Sequence, residues 1–343
     1  MKKNYSQRLE KLKKRRLDES LQKAVLSKSF SDVTINESVK YALESMSEID
    51  PTYNKNTYTA SENIRSNLTP GLLKEGLTVE YRHQGSIETN THIKIHSDID
   101  VLVFTDKYVN MEPPLIPTNP YEGDPLTDLR QLRQECFNIL NGIYDQVDNS
   151  NSKSVQVFPT APKRKVDVVP CNWVNTVDYQ NTRNEIYRGV HVYNKDQNLR
   201  QKDFPFLNIA QVKAKDSMVN GGLRKLVRLL KTLKVDADYE MKLSSFEISS
   251  LVYAINNESL TKPTNQQLLL LGEGSRQLNT LINDQLYREN LKSPNGKELV
   301  FGTNASIVVE LKKLKLEIDE LIADITEELG RKLKRLDESI IYG

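Results

Sequence analysis

Two short apolar runs, each interrupted by acid, limit what this chain can fold into: DIDVLVF at 98–104 and KVDVVP at 165–170. A run of Val, Ile, Leu and Phe of this length reads as a strand buried on both faces, which requires structure packed on either side of a sheet. Residues two apart on a strand project to the same face, so Asp98 and Asp100 point together while Ile99 points into the core. Two adjacent carboxylates repel, and a divalent cation relieves them. Hard oxygen ligands at this spacing suit magnesium, which also binds substrate phosphates. Asp167, isolated between Val166 and Val168, supplies a third carboxylate from a neighbouring strand and would complete a two-metal site. Taken alone, Asp167 reads as a structural acid with a satisfied partner, because an unpartnered acid on a buried strand is costly.

The segment before the first run adds a second element. TVEYRHQG (78–85) reads as a strand ending at Gly85-Ser86, and eleven residues separate Ser86 from Asp98. Glycine lets backbone approach a ligand closely, and a helix starting there would offer N–H groups to an anion. Between them, Ile87 to His96 contains His92, Lys94 and His96, which read as turn or rim residues, with metal ligation by the two histidines as the alternative. The strands SVQVFP and KRKVDVVPCNWV and a helix near 126–147 complete an α/β block. Helices are expected over 3–25 and 31–48, the second after a capping signal at Ser31-Asp32, followed by a loop IDPTYNKNTYT. The second half is mostly helical. VNGGLRKLVRLLKTLK puts Val219, Leu223, Leu226, Val227, Leu230 and Leu233 on one face, and SSFEISSLVYAI is a further apolar helix. From Ala305 a long helix carries Leu311, Leu314, Ile318, Leu321 and Ile325 at coiled-coil-like spacing. That seam packs against the same chain or, as the sharper reading, forms a weak homodimer.

With 343 residues, the chain is long enough for two domains. No apolar run reaches the roughly 18 residues of a membrane span, and the basic N-terminus lacks the apolar core of a secretory signal. The expectation is a cytoplasmic protein with no membrane partner. A net charge of +2 is no nucleic-acid signature, although MKKNYSQRLEKLKKRR is locally basic. Cys136 and Cys171 belong to no metal-binding pattern and read as reduced, buried thiols.

QGS…DIDVLVF followed by VDVVPC resembles the polymerase-β-like nucleotidyltransferases. With SVQV, LVRLLK and SSFEISSLVY added, the chain resembles the cGAS/DncV-like nucleotidyltransferases (CD-NTases) of bacterial anti-phage (CBASS) systems, CdnE-like members above all, over roughly residues 75 to 260. The resemblance implies an α+β fold. A nucleotidyltransferase core of mixed sheet and helices would span 1–210 with the N-terminal helices. A mainly helical C-terminal domain at 211–343 would complete the nucleotide cleft. It implies two Mg2+ ions, or Mn2+ in their place, on Asp98, Asp100 and Asp167. Gly85 and Ser86, with Gln84 as the weaker candidate, would hold the donor triphosphate. Lys231 and Ser245 would contact the same triphosphate, and Phe246 would stack on the donor base. Each has a plainer alternative: a solvated lysine, an N-cap at Ser244-Ser245, a core phenylalanine.

The function implied is condensation of NTPs into a cyclic di- or trinucleotide second messenger read by a downstream effector, with base choice among ATP, GTP, UTP and CTP open. The alternatives are a linear nucleotidyltransferase acting on RNA, protein or a small-molecule hydroxyl, and a non-catalytic nucleotide-binding module. The terminal Gly343 suggests attachment to other proteins by a conjugation machinery, against the plainer reading of a frayed end.

Overall fold

The computed structural model describes residues 3–16, 36–94 and 98–342. The expected extension of the first helix to residue 25, the cap at Ser31-Asp32, His96 and Gly343 lie outside the described residues. The chain divides into two compact units: Asp50–His92 with His96–Lys213, and Met1–Ile49 with Ile93–Ile95 and Ala214–Gly343.

The first unit is built on an eight-stranded sheet. Its strands are β1 (Val79–Gln84), β2 (Ile99–Thr105), β3 (Asn110–Met111), β4 (Val147–Asp148), β5 (Val155–Val157), β6 (Val166–Asn175), β7 (Gly189–Asn194) and β8 (Leu199–Asp203). The main order is β1-β2-β6-β5-β4, with β3 and β7 also on β6 and β8 on β7. β6 is long enough to change partners along its length. Its first residues pair with β2 in parallel and with β5 antiparallel, and its last pair with β7.

One face of the sheet carries Ile99, Val101, Val103, Val166 and Val168 and is covered by two helices, Pro51–Lys74 (α3) and Pro125–Asn141 (α4). The opposite parity carries Leu102, Phe104, Val169, Cys171 and Trp173, with Phe206 packed on them. Asp100 and Asp167 share this second parity and lie at the end of it that precedes the apolar cluster.

Three expectations change here. IDPTYNKNTYT is not a loop: Pro51 opens α3, a position where its missing N–H is no loss. The helix is held by Ala60, Ile64, Leu68 and Leu72, four apart and fully buried. Gly85-Ser86 leads into a hydrogen-bonded turn instead of a helix, with Asn90 N–H donating to the Ile87 carbonyl at 3.0 Å and Thr91 N–H to that of Ser86 at 2.9 Å. The β7–β8 hairpin, GVHVYNKDQNLRQKD, has no counterpart in the expected elements.

The second unit is helical. It contains α1 (Tyr5–Arg16), α2 (Glu37–Met46), α7 (Gly222–Asp236), α8 (Ser245–Tyr253), α10 (Leu269–Asn283) and α12 (Ile307–Tyr342). Helices α9 (Asn257–Leu260) and α11 (Gln285–Glu289) complete it, while α5 (Val177–Thr182) belongs to the first unit and α6 (Pro205–Met218) begins in the first and ends in the second. The expected division near residue 210 put the N-terminal helices with the strands, whereas α1 and α2 group with the C-terminal helices. The reason is in their apolar faces and ion pairs. Tyr5, Leu9 and Leu12 are buried, and Arg8 pairs with Glu317 at 2.9 Å. Arg15 and the Tyr41 hydroxyl both bond Asp236 at the end of α7. Part of the N-terminal basic run is therefore spent inside the protein. The seam Leu311, Leu314, Ile318, Leu321 and Ile325 is buried, and α12 packs on α10, α7 and α2 of the same chain. Among the described residues no helix is long and apolar enough to cross a membrane, and Cys136 and Cys171 are free, buried thiols.

Candidate active site

The strand ladder gathers the acids. β2 and β6 run parallel with Asp100 directly opposite Asp167. Gln84 is opposite Asp100 on β1, and Gln156 is opposite Asp167 on β5. Residues in register across a sheet share a face, so Gln84, Asp100, Asp167 and Gln156 form one polar row over four adjacent strands. Asp98, two residues before Asp100, belongs to the same face.

Gly85 ends β1 against this row. Its φ is +93°, and a Cβ there would stand 2.6 Å from Oδ2 of Asp100. Backbone conformation and space therefore both demand glycine. Ser86 follows in the turn, half-buried. The short approach of backbone to carboxylate is what the glycine makes possible.

The electrostatics follow from crowding. Burial, with Asp167 and Asp98 adding their charge, pushes the Asp100 carboxyl up to about 7, and Lys165 opposes them. Burial also raises Asp167, against the charge and hydrogen bond of Lys165. The Lys165 ammonium bonds Asp98 Oδ2 at 2.9 Å and lies 3.2 Å from Asp167 Oδ2. Ser154 Oγ donates to Asp167 Oδ1 at 3.4 Å. Ser154 closes a loop whose carbonyls at Ser152 and Ser154 accept from the buried Arg133, at 3.1 and 2.9 Å.

Three carboxylates crowded on one sheet face, one of them pushed up to about 7 by burial and by its neighbours, are the donor chemistry of a hard divalent cation. As they stand, no three His, Cys, Asp or Glu side chains among the described residues are gathered at ligand spacing. Asp98 and Asp167 are turned to Lys165 instead. Sequence reasoning missed Lys165, Ser154 and Gln156. Lys165 had a signal: it stands two residues before Asp167 and so shares its face.

The remaining candidates belong to the helical unit. Lys231 is no solvated lysine. It is 7% exposed on a helix buried nearly all round, and burial pushes it down to about 8, with Lys234 and Arg228 adding to the shift. The N-cap is Ser244, in a full capping box with Glu247. Ser245 is the first helical residue of α8 and is exposed. Phe246 is 38% exposed, so it is not a core residue.

Comparison with known proteins gives the family. Residues 210–323 match the cGAS/DncV-like nucleotidyltransferase C-terminal helical domain. The chain is 33% identical to a c-di-GMP synthase of Capnocytophaga granulosa, over 94% of this chain and 97% of that protein. It is 31% identical to the cyclic dinucleotide synthase CdnE of Yersinia aleksiciae, over 85% and 77%. The solved structure of the STING-associated CdnE c-di-GMP synthase from C. granulosa superposes with a TM-score of 0.79 at 32% identity, covering 95% of this chain and all (100%) of that one. That of a Flavobacteriaceae species gives 0.80 at 26%, covering 96% and 100%. The chain belongs to the cGAS/DncV-like nucleotidyltransferases and, within them, to the CdnE-like members. It is an enzyme of nucleotidyl transfer.

Proposed function

We propose that this enzyme joins two NTPs into a cyclic dinucleotide, with GTP as substrate and c-di-GMP as product. The observation that carries the reading is the row Gln84–Asp100–Asp167 with Gly85 pressed against Asp100. The choice of GTP rests on the relatives, three of which are named c-di-GMP synthases.

In each of two rounds a sugar hydroxyl oxygen bonds to an α-phosphorus, the bond to pyrophosphate breaks, and the hydroxyl proton leaves. Two GTP thus give one cyclic product and two pyrophosphates. Asp98, Asp100 and Asp167 would hold Mg2+ or Mn2+, which supplies charge for the triphosphate and acidifies the attacking hydroxyl. The chain's own residues bind and orient. The backbone at Gly85-Ser86 receives the triphosphate, with Gln84 beside it in the row. Lys231, lowered to about 8 by burial, pairs as an ammonium with a phosphate, which holds its proton on. Ser245 and Phe246, both exposed at the start of α8, serve as a hydroxyl donor to the triphosphate and a stacking surface for the base.

The product's reader is a downstream effector, as the STING association of the two solved CdnE enzymes suggests, and the setting is cytoplasmic anti-phage signalling. Conjugation through Gly343 stays a proposal from sequence, tested by mass spectrometry for a Gly343 amide adduct. The main test is incubation of purified protein with each NTP and Mg2+, followed by phosphatase and mass analysis. A phosphatase-resistant cyclic di-guanylate with pyrophosphate release is expected, and an Asp100→Asn protein that keeps this activity would sink the site.

A further inference from the structure

We propose that Lys165 is a resident counter-cation of the acidic row, displaced when a divalent metal binds, and that it thereby sets how much metal the enzyme needs. The inference rests on the reading of Asp98, Asp100 and Asp167 as metal ligands and adds a competitor to them.

The backbone builds the competitor in. The Ile99 N–H donates to the Lys165 carbonyl at 3.4 Å, so the β2–β6 ladder extends one residue beyond β6. Asp98 and Lys165 then stand side by side just as Asp100 and Asp167 do one step along. Lys165 and Asp167 are two apart on an extended chain and share a face. The ammonium reaches a carboxylate on each strand, 2.9 Å to Asp98 and 3.2 Å to Asp167. It bridges two of the three carboxylates that the metal would take.

The same geometry makes the bridge reversible. The Lys165 side chain is 22% exposed, that of Asp98 49% and that of Asp167 13%. The pair with the half-exposed Asp98 is weak, while that with Asp167 is more enclosed. Lysine is a single charge on a flexible four-carbon stem, without the fork that locks arginine onto a carboxylate. A divalent cation carries twice the charge and can draw on Asp100 as well, toward which Lys165 acts through charge alone. The lysine therefore weakens metal binding by a modest factor and leaves the site open. Without metal it stabilises carboxylates that would otherwise repel.

The test is Mn2+ binding to the full-length protein without nucleotide, read by electron paramagnetic resonance, together with melting curves in EDTA and in Mn2+. Lys165→Met should bind Mn2+ about three- to tenfold more tightly than wild type, the factor expected for losing one exposed and one partly enclosed ion pair. It should melt lower in EDTA and gain more from Mn2+. Lys165→Gln reports the same if the methionine variant does not fold, and Lys165→Arg, whose fork holds a carboxylate more firmly, should bind Mn2+ no more tightly than wild type. Lys163→Met removes an exposed positive charge two residues away and should leave the affinity unchanged. Equal or weaker Mn2+ binding by Lys165→Met, or the same tightening in Lys163→Met, overturns the inference. Mn2+ binding that Asp100→Asn leaves intact overturns the metal site itself, and the competitor with it.

Discussion

The sheet unit and the helical unit handle buried charge in opposite ways. At the sheet end, strand register brings carboxylates together, and burial with mutual repulsion lifts Asp100 to about 7. In the helical unit an amphipathic helix buries a lysine, and burial lowers Lys231 to about 8. Each group is pushed toward its neutral form and away from its ordinary value. Under the proposed function, a cation would favour the charged form of the first and a phosphate that of the second. The difference teaches that neither perturbation serves stability. The proposed function assigns a ligand of opposite sign to each of the two positions.

The largest effect should come from breaking the sheet side. Asp100→Asn should lower the rate of pyrophosphate release by about a hundred- to a thousandfold or more, the scale of removing a preorganised charge from a transition state. It should leave the melting temperature in EDTA equal or higher, because it removes repulsion. A large loss of both activity and stability would recast Asp100 as structural. Gly85→Ala comes next. The left-handed backbone and the 2.6 Å approach to Asp100 should cost about 1–2 kcal/mol in chemical denaturation, with activity falling by more than that stability loss explains.

On the helical side, Lys231→Met should raise KM for the NTP about tenfold or more, as for loss of a charge-assisted hydrogen bond of about 1.5–3 kcal/mol. A melting curve of the variant taken alongside separates lost NTP contact from lost stability. NTP affinity of the wild type should fall as pH rises through about 8, as the lysine loses its proton, and the variant should be flat there.

The smallest effect concerns His191, which lies in the sheet unit away from the row and bonds Asn110 at 3.0 Å. Burial, with Arg200 and Lys202 adding, lowers it to about 4. The unfolded chain then binds more protons than the folded one between about 6.5 and 4. Stability should drop as pH falls through that window, and His191→Gln should remove part of the drop in acid-denaturation curves. A pH profile identical in the two proteins would show that this histidine is solvated.

The acids were readable because alternation has a period of two. Asp98, Asp100 and Asp167 stand out as charges in otherwise apolar strands, and parity assigns the first pair to one face. The buried face of α7 and the seam of α12 followed from helical spacing, since every residue named for them is buried. Gly85 was readable as a glycine closing a strand, although its reason was not. Its neighbour across the ladder is fifteen residues away in sequence, and the helix expected after it is a turn.

By itself, then, the sequence determined which residues carry charge into buried strands and which helical faces are apolar, because both are local periodicities. Only the tertiary structure decided that Asp100 faces Asp167, that Gln84 and Gln156 extend the row, and that Lys165 bridges two of its acids. It also decided that the N-terminal helices pack with the C-terminal ones. Pairing register between distant strands depends on which cores close first and best, a choice made by burial summed over the whole unit and written in no short segment of the chain.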